Sequence, residues 1–544
     1  MPQQTDGIMR GAGILAAFTF LSRVLGLVRD ALSAALFGAG ATWDAFSFAF
    51  RVPNMLRRLL GEGALSAAFI PMFAGRLEAG DREGAAALAG RIAGVLTVLL
   101  GVLIVAAEGI VLTLLVFANP NEQWRLALGL TAVLLPYMLP ICLAALLAAV
   151  LNSLRHFTTP ALAPVTLNLV WILAVGFVAP AVSSDPIVRI YIVAAGILLA
   201  GLLQLALQVG GLRAERFVFA PVLAPAHSDV RRLARAMGPV ALGMAAVQLN
   251  LLLDGVIALS LAGPEDGAAL RLFGAVLGYP MRVGANSVLY YGNRLMQLPL
   301  GVFGIAIATA AFPALSRHAA REDRAAFAAS LRRSLGLVVF VAAPSGVGLI
   351  VLREPIIALV FRRGAFTAAM ADRTAAVTLA YSTAVWAYCA VHVLSRAFYA
   401  LGRAGTPAAV AAVAVLANLA LNLTLVWPLA EAGLAAATAV SAVLQVAVLW
   451  WLLQRAGMTG DPRRLLGSIG KTLLATGIMA GACLAVLGRL PAAWSVGSLG
   501  LRCLRVVLPT AAGGSAFVAA AAVLRAEELH ETARRMFRRT SSTR

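Results

Sequence analysis

Apolar runs of about 20 residues follow one another along nearly the whole chain, separated by short polar or charged breaks. A run of that length is what an α-helix needs to cross the hydrocarbon core of a bilayer. The pattern therefore predicts an all-α polytopic membrane protein with about fourteen transmembrane helices. The predicted spans are 11–36, 44–74, 92–117, 126–150, 160–182, 188–212, 237–262, 283–316, 334–358, 374–400, 407–427, 434–455, 472–489 and 505–525.

Arginines in the breaks between spans orient the predicted bundle. The polar start MPQQTDGIMR does not resemble a cleaved signal peptide, so we expect 11–36 to remain as the first span. An even number of spans puts both termini on one side. If that side is the cytoplasm, the cytoplasmic loops hold most of the basic residues, as the positive-inside rule requires. The segment 362–373 fits this orientation badly, because it puts arginines outside.

Two halves of the chain resemble each other. The segment 71–91 matches 313–333, with proline, aspartate and arginine in equivalent places, and 159–168 matches 406–418. Parallel repeats around a central pathway are typical of transporters. The sequence thus predicts an N-terminal lobe at 1–230, a C-terminal lobe at 231–460, two added helices within 461–525 and a basic cytoplasmic tail at 526–544.

Composition supports the membrane assignment and limits the meaning of the charge. Hydrophobic residues make up 61% of the chain and charged residues 12%, whereas a soluble domain is about one-quarter charged. The formal net charge is +20, which in a soluble protein would suggest nucleic acid. Here we assign most of it to cytoplasmic loops and expect no nucleic-acid partner. The arginines inside predicted spans are the informative ones.

Charged residues concentrate in the first two predicted spans. In the first, Arg23 and Asp30 are seven residues apart and share a helical face, while Arg29 lies about 120° away. In the second, charges spaced 7, 7 and 4 residues apart follow one face. Arg57 lies beside this stripe, and Pro53 is expected to kink the helix. The stripe consists of Asp44, Arg51, Arg58 and Glu62.

Three interpretations of these charges remain open. Arginines near an interface can extend to the headgroups, and Arg29 with Asp30, or Arg58 with Glu62, can form structural ion pairs. Pairing leaves an excess, because the two spans hold five arginines and three carboxylates, and Arg294 lies well inside the eighth span. A charge at the bilayer centre costs about 2.5–3.5 kcal/mol, so we expect the excess to line a wet cavity and bind an anion such as phosphate.

Four motifs carry a resemblance to a known family. They are SRVLGLVRD at 22–30, FGAGATWDAF at 37–46, RVPNMLRRLLGEGALSAAFIP at 51–71 and YYGNRLMQLPLGVFG at 290–304. With these motifs the chain resembles the MurJ (MviN) family of bacterial lipid II flippases, in the multidrug/oligosaccharidyl-lipid/polysaccharide exporter (MOP) superfamily. The resemblance implies two pseudo-symmetric six-helix lobes plus two C-terminal helices around a central cationic cavity, with a lipid-tail groove along 472–489 and 505–525.

The resemblance implies roles for Arg23, Arg29, Arg51, Arg57, Arg294 and Asp44, and the charge spacing adds Arg58, Asp30 and Glu62. The residues expected to bind the substrate pyrophosphate are Arg23, Arg29, Arg51, Arg57, Arg58 and Arg294. Those expected to gate the cavity or to pair with its arginines are Asp30, Asp44 and Glu62, with Asp44 near the outer mouth. Relatives carry acids where this chain has Asn293 and Gln297, which puts a salt bridge to Arg294 in doubt.

Energy coupling has two candidate sources. No P-loop pattern occurs, so we expect no ATP site and no cofactor. The membrane potential can act on the arginines of the first two spans. Sodium-binding relatives imply an Na⁺ site at Asp254, Asn418, Asn422 and Thr438, although one such relative has a carboxylate in place of Asn422. The alternative for these four residues is polar packing between helices.

The resemblance predicts a transporter and not an enzyme. We expect it to move lipid II, the undecaprenyl-pyrophosphate-linked peptidoglycan precursor, from the cytoplasmic to the periplasmic leaflet by alternating access. Its expected place is the bacterial cytoplasmic (inner) membrane, with both termini in the cytoplasm. Expected partners are lipid II and the phospholipid bilayer, with cell-wall synthesis and division proteins as further candidates. The alternatives are a flippase for another polyprenyl-linked oligosaccharide of the O-antigen type and a MATE-like multidrug antiporter.

Overall fold

Long helices form almost all of the regular structure. The computed structural model describes residues 2–59, 64–263, 269–272 and 275–529. Within these residues the α-helices are α1 (Pro2–Phe37), α2 (Ala41–Leu56), α3 (Ala64–Glu78), α4 (Arg82–Phe117), α5 (Glu122–Leu134), α6 (Met138–Ser153), α7 (Thr158–Leu173), α8 (Ala179–Val182), α9 (Pro186–Ala214), α10 (Ser228–Ser260), α11 (Ala285–Pro299), α12 (Ile305–Ala320), α13 (Arg324–Val360), α14 (Ala368–Ser382), α15 (Val385–Ala400), α16 (Gly405–Leu429), α17 (Glu431–Arg455), α18 (Pro462–Arg489) and α19 (Leu499–Val523).

The predicted membrane spans fall on these helices. In the described part of the chain, eleven helical segments are long and apolar enough to cross a membrane. They coincide with the predicted spans from 92–117 to 188–212 and from 283–316 to 505–525. The other three predicted spans fall on α1, on α2 with α3, and on α10. Two of these regions carry the charged positions of the first two spans, and Gln248–Ser260 of α10 forms a shorter apolar stretch.

The second predicted span is interrupted, whereas the sequence pattern predicted one helix over 44–74. Helix α2 ends at Leu56, a π-helical turn follows at 57–59, and α3 begins at Ala64. Pro53 has no N–H to donate inside α2, and a wider turn nearby is a usual consequence of such a proline. The Arg57 N–H donates to the carbonyls of Asn54 and Pro53. Arg57 therefore lies in the irregular turn.

Short strands are an exception to the predicted all-α class. Ala269–Leu272 pairs antiparallel with Ala275–Gly278, so that Ala269 faces Gly278 and Leu272 faces Ala275. Two further strands of two residues, Ala262–Gly263 and Met281–Arg282, complete the strands of the described part. A strand is recognised in a sequence by alternating apolar and polar residues, and these strands are too short for that alternation to be distinguished from the apolar spans around them.

The chain divides into two units. Unit 1 consists of Met1–Asp266, Arg282–Ser287 and Gly364–Phe366. Its core is aromatic: Trp171 of α7 makes edge-to-face contacts with Phe46 and Phe50 of α2, at centroid distances of 5.4 and 5.0 Å. Such pairs add about 0.5–1.5 kcal/mol beyond burial. This cluster fixes α2 against α7, and both helices carry residues of the candidate site.

Unit 2 consists of Gly267–Met281, Val288–Arg363 and Thr367–Arg544. Helices α18 and α19 pack on each other and on α13, where Phe340 and Phe517 meet at 5.1 Å between ring centroids. The two helices approach closely at Gly513, because a Cβ there would collide with the Cys483 sulfur. A substitution as small as Gly513→Ala would therefore require the Cys483 side chain to rotate or α18 and α19 to shift.

Arginines on the predicted outer side bind backbone carbonyls. In unit 2, Arg363 donates to Leu359 O at 2.6 Å. Arg502 donates to Arg362 O at 2.8 Å and to Ala358 O at 3.2 Å, at the C-terminal end of α13. Carbonyls at a helix C-terminus carry partial negative charge and lack partners in the helix. Arg363, one of the arginines that fit the positive-inside rule badly, thus has a local structural role, as does Arg502.

In unit 1, on the predicted cytoplasmic side, Asp229 of α10 binds arginines of α3 and α4. Its carboxylate accepts hydrogen bonds from Arg76 at 2.8 Å and from Arg91 at 2.9 Å. Burial alone would raise the pKa of Asp229, but the hydrogen bonds and charges of Arg76, His227 and Arg91 bring the pKa below its usual range. The ionised carboxylate therefore stabilises the folded state.

We expect Asp229→Asn to lower the thermal unfolding midpoint at neutral pH and to lose this effect in acid. The pKa of Asp229 is lower in the folded than in the unfolded protein, so its contribution is complete above about pH 4 and falls as the pH drops through the folded-state pKa. Melts of both proteins from pH 7 to pH 3 measure this difference. A constant difference across the range would contradict the assignment.

Candidate functional site

Arg29 is held by α1 and α7 in unit 1. It is 5% exposed, and its Nε and Nη2 donate to Asp30 Oδ1 at 3.0 and 2.8 Å. Its Nη1 donates to Asn168 Oδ1 at 3.1 Å. The guanidinium carbon lies 4.4 Å from the ring centroid of Trp171, which is cation–π geometry. Arg29 thus has an ion pair, an amide partner and an aromatic surface.

Asn168 is a site residue that sequence reasoning did not single out. Its Oδ1 accepts from Arg29, and its Nδ2 donates to Ser22 O at 2.9 Å. The asparagine therefore ties the guanidinium to α1 from the facing helix. A buried amide in an apolar helix requires partners, and that requirement is the signal that could have identified Asn168.

Asp44 binds the N-terminus of α11. The carboxylate is fully buried, and Oδ1 accepts from the Ser287 N–H at 2.7 Å and from its hydroxyl at 2.6 Å. Oδ2 accepts from the Gly284 N–H at 2.7 Å and from Gln123 Nε2 at 3.2 Å. The first N–H groups of a helix lack partners within the helix and attract negative charge. Asp44 of α2 therefore caps another helix.

Ser47 and Arg51 continue this contact along one face of α2. Asn286 donates from Nδ2 to Ser47 Oγ at 2.8 Å, and its Oδ1 accepts from Arg51 Nη2 at 3.1 Å. Arg51 Nη1 also donates to Leu251 O of α10 at 2.6 Å. A Cβ at Gly255 would lie 2.7 Å from this Nη1, so glycine leaves the guanidinium its place. Arg51, predicted to bind substrate, also holds α2 to α10 and to the start of α11.

The other charged positions near α2 differ in exposure. Arg57 is half-buried and donates from Nε to Asn54 Oδ1 at 3.1 Å. Arg58 is also half-buried and lies in the same π-helical turn. Arg23 of α1 is exposed, and it makes no ion pair or hydrogen bond with the residues that the structure describes. Glu62 lies outside the described residues, so its predicted pair with Arg58 stays a prediction.

Arg294 lies in unit 2, one turn after Tyr290 on α11. It is half-buried, and its Nη2 donates to the Tyr290 hydroxyl at 3.2 Å. Its guanidinium carbon lies 5.2 Å from the centroid of the same ring. Gln297 donates to Asn293 Oδ1, so the two amides at the positions that are acidic in relatives bond to each other. Tyr290 orients Arg294 from the same helix.

The residues of the predicted cation site lie in both units. In unit 2, Asn422 Nδ2 donates to Asn418 Oδ1 at 2.9 Å, and Asn418 Nδ2 donates to Thr438 Oγ1 at 3.4 Å. Asp254 belongs to α10 of unit 1 and is 4% exposed. The asparagine and threonine contacts join α16 and α17, as polar packing would. In the described part of the chain no three His, Cys, Asp or Glu side chains cluster as metal ligands.

The arginines of each unit provide cationic and hydrogen-bonding chemistry. Guanidinium groups on α1, on α2 with its following turn, and on α11 can donate bidentate hydrogen bonds to phosphate oxygens. Asp44 supplies a contact that depends on the position of the α11 N-terminus. These groups suit recognition of an anionic headgroup.

Similar sequences span most of the chain. A family model described as "Lipid II flippase MurJ" matches residues 33–504. The probable lipid II flippase MurJ of Vibrio cholerae is 33% identical over 491 residues, which cover 88% of this chain and 89% of that relative. The lipid II flippase MurJ of Burkholderia cenocepacia is 31% identical over 487 residues, covering 87% and 89%.

Solved structures share the fold. A structure described as "Lipid II flippase MurJ, inward closed conformation" matches with a TM-score of 0.67 at 22% identity, covering 92% of this chain and 98% of that one. An inward-facing multidrug resistance MATE family transporter of the MOP superfamily matches with a TM-score of 0.63 at 15% identity, covering 81% and 96%. At these identities the likeness concerns the fold alone.

Proposed function

The chain belongs to the lipid II flippase MurJ family, and from that membership we propose that it moves lipid II across the bacterial inner membrane. The proposal rests on the family match over residues 33–504. Relatives of that name also align with the chain over most of their length. The process served would be peptidoglycan biosynthesis and hence cell-wall biogenesis and cell shape. The protein is a multi-pass membrane protein, and we place both termini in the cytoplasm.

Transport requires a polar headgroup to cross hydrocarbon. Pyrophosphate and sugars cannot enter an apolar medium without large desolvation costs. In our proposal, Arg23, Arg29, Arg57 and Arg294 donate hydrogen bonds to the pyrophosphate, while the polyprenyl tail stays in lipid beside α18 and α19. Fork-shaped guanidinium groups match pyrophosphate better than lysine ammonium groups do. Arg51 and Arg58 add positive charge around the same path.

Alternating access is the proposed cycle. The Asp44 carboxylate holds the start of α11 through Ser287 and Gly284, and we propose that breaking this contact opens the outer side. Hydrogen bonds to a buried carboxylate are strong, so those of Asp44 can favour the state with the outer side closed. They are also few, so the binding energy of the substrate can break them. The membrane potential acting on the arginines, or a sodium gradient acting at Asn418, Asn422 and Thr438 with Asp254, would supply the direction.

The arginines also bear on the alternative of a MATE-like multidrug antiporter. Many exported drugs are cations, and a site rich in guanidinium groups would repel them. Another polyprenyl-linked oligosaccharide of the O-antigen type would suit the same arginines, so the family match favours lipid II among the flippase substrates.

Arg294→Ala tests the proposal. We expect it to lose growth rescue in cells depleted of their native flippase, and to reduce exposure of lipid II on the outer leaflet by at least about tenfold, since a hydrogen bond to a charged group is worth about 1.5–3 kcal/mol. Arg294→Lys should retain intermediate activity because it keeps the charge but not the fork. The matched control is Arg403→Ala, which removes an exposed arginine of unit 2.

Membrane levels and thermal melts of each variant separate transport from folding. Full growth with Arg294→Ala at the normal protein level would remove Arg294 from the headgroup site. Normal growth with wild-type protein but no change in outer-leaflet lipid II would count against the proposed substrate.

A further inference from the structure

A groove of about 570 Å³ lies between α7 and α9 in unit 1. Its walls are almost entirely apolar, with Leu203 and Leu207 of α9 among them, and Thr166 of α7 lies on the facing side. Its size is within the range of about 300–1,000 Å³ that is typical of small-molecule sites. None of the proposed transport residues lines it, so the groove needs an explanation of its own.

Two adjacent glycines of α9 give the groove its depth. A Cβ at Gly211 would lie 2.5 Å from Thr159 Oγ1, so glycine leaves space for the threonine hydroxyl. A Cβ at Gly210 would meet no atom within 4 Å, and Gly210 lines the groove. Glycine inside a helix is less favourable than alanine. Helix propensity therefore disfavours both glycines, while an open groove needs them.

The polar end of the groove contains two shielded polar atoms. His156 Nδ1 is 2.9 Å from Glu215 Oε1, which orients the imidazole. His156 Nε2 and Thr159 Oγ1 are shielded from solvent, and neither makes a hydrogen bond with the residues that the structure describes. A shielded polar atom without a partner destabilises the folded protein. Both atoms belong to groove-lining residues, so a polar group of a ligand can bind them there once either side chain rotates toward the groove.

Positive charge surrounds the same end. Arg155 precedes His156, and Arg213 precedes the lining residue Ala214; both arginines are exposed, as is Arg216. The single carboxylate among these neighbours, Glu215, is paired with His156. An apolar groove that ends in basic residues matches an amphiphile with one long chain and an anionic head. The predicted topology puts this end at the cytoplasmic face, where anionic lipids attract basic loops.

We propose that this groove is a specific binding site for an anionic phospholipid. One acyl chain lies along Leu203, Leu207 and Gly210. The phosphate accepts hydrogen bonds from the Thr159 hydroxyl and, when the imidazole is doubly protonated, from His156 Nε2. The exposed arginines attract the headgroup. None of its lining residues is a proposed transport residue, so the proposal does not depend on the transport mechanism.

Native mass spectrometry of the full chain in detergent tests the site with phosphatidylglycerol as the probe and phosphatidylcholine as the zwitterionic comparison. Gly210→Phe should fill the groove, since a Cβ there meets no atom within 4 Å, and should remove the tightest phosphatidylglycerol site. Gly101→Phe is the matched control, because a Cβ at Gly101 of α4 also meets no atom within 4 Å, and that glycine does not line the groove. Thr159→Val should weaken the site by about three- to tenfold through loss of one hydrogen bond.

The outcomes separate the occupants. Support requires tight phosphatidylglycerol binding in wild type and Gly101→Phe, loss in Gly210→Phe, and weaker phosphatidylcholine binding, with unchanged helical content by circular dichroism in all variants. Equal phosphatidylglycerol binding in Gly210→Phe and Gly101→Phe would overturn the site. Displacement of the bound lipid by equimolar undecaprenyl phosphate would overturn the choice of occupant, because the groove would then take a polyprenyl chain.

Discussion

Asp44→Ala is expected to abolish growth rescue in flippase-depleted cells and to lower the thermal unfolding midpoint of the purified protein. The substitution removes the acceptor for two backbone N–H groups and the Ser287 hydroxyl at the start of α11, and for the Gln123 amide. Asp44 is fully buried, so water cannot take its place without rearrangement. Each buried donor left without a partner costs about 1–3 kcal/mol.

Two further variants test whether the effect of Asp44→Ala comes from the carboxylate or from the loss of any helix cap. Asp44→Asn keeps the side-chain shape but turns one acceptor into a donor facing an N–H, so it should also fail to rescue growth. Asp185→Ala is the matched control, because Asp185 caps the start of α9 from an exposed position. Loss of an exposed cap costs about 1 kcal/mol and should leave growth intact. Normal growth with Asp44→Asn would contradict a gating role for the carboxylate.

The contacts of Asp44 illustrate what the sequence could and could not predict. Charge spacing placed Asp44 and Arg51 on one face of α2, and the structure has both on the face that meets Asn286 and its neighbours. Apart from Gln123, which is 79 residues from Asp44, these partners lie 200 or more residues away in sequence. Helical periodicity carries information about neighbours within a few turns and none about such distant contacts.

Local pairs were predictable where the partners are close in sequence. The ion pair between Arg29 and Asp30 was one of the open interpretations, and the structure contains it. The sequence analysis missed Asn168 and Trp171, which also contact Arg29. An asparagine or a tryptophan in an apolar span does not by itself indicate a charged partner. Only the requirement that a buried amide be satisfied could have pointed to Asn168.

Interruptions of regular structure were the least predictable features. Pro53 predicted a kink, but the length of the irregular turn depends on how tertiary contacts satisfy the backbone groups that the proline leaves without partners. The hairpin around Ala269–Leu272 is too short for a period of two residues to be distinguished from its apolar surroundings. By contrast, the long apolar helices follow from hydrophobic length alone, because a bilayer requires that length.

Arg29 gives the second large effect, and its contacts mean that one substitution cannot separate transport from folding. Arg29→Met removes both hydrogen bonds to buried Asp30, the bond to Asn168 and the stacking on Trp171. Removing one partner of a buried ion pair costs about 3–5 kcal/mol. We therefore expect Arg29→Met to lose growth rescue and also to melt at a lower temperature, an outcome that a purely structural arginine would give as well.

Combining Arg29→Met with Asp30→Asn separates the two roles. Replacement of a whole buried ion pair by neutral side chains is often close to neutral for stability, so the double variant should recover most of the thermal midpoint that Arg29→Met loses. If Arg29 binds the pyrophosphate, growth rescue stays absent in the double variant while Asp30→Asn alone retains more activity. Recovery of growth together with stability would show that Arg29 serves the α1–α7 contact and not the headgroup, and would leave Arg23, Arg57 and Arg294 to carry the proposed site.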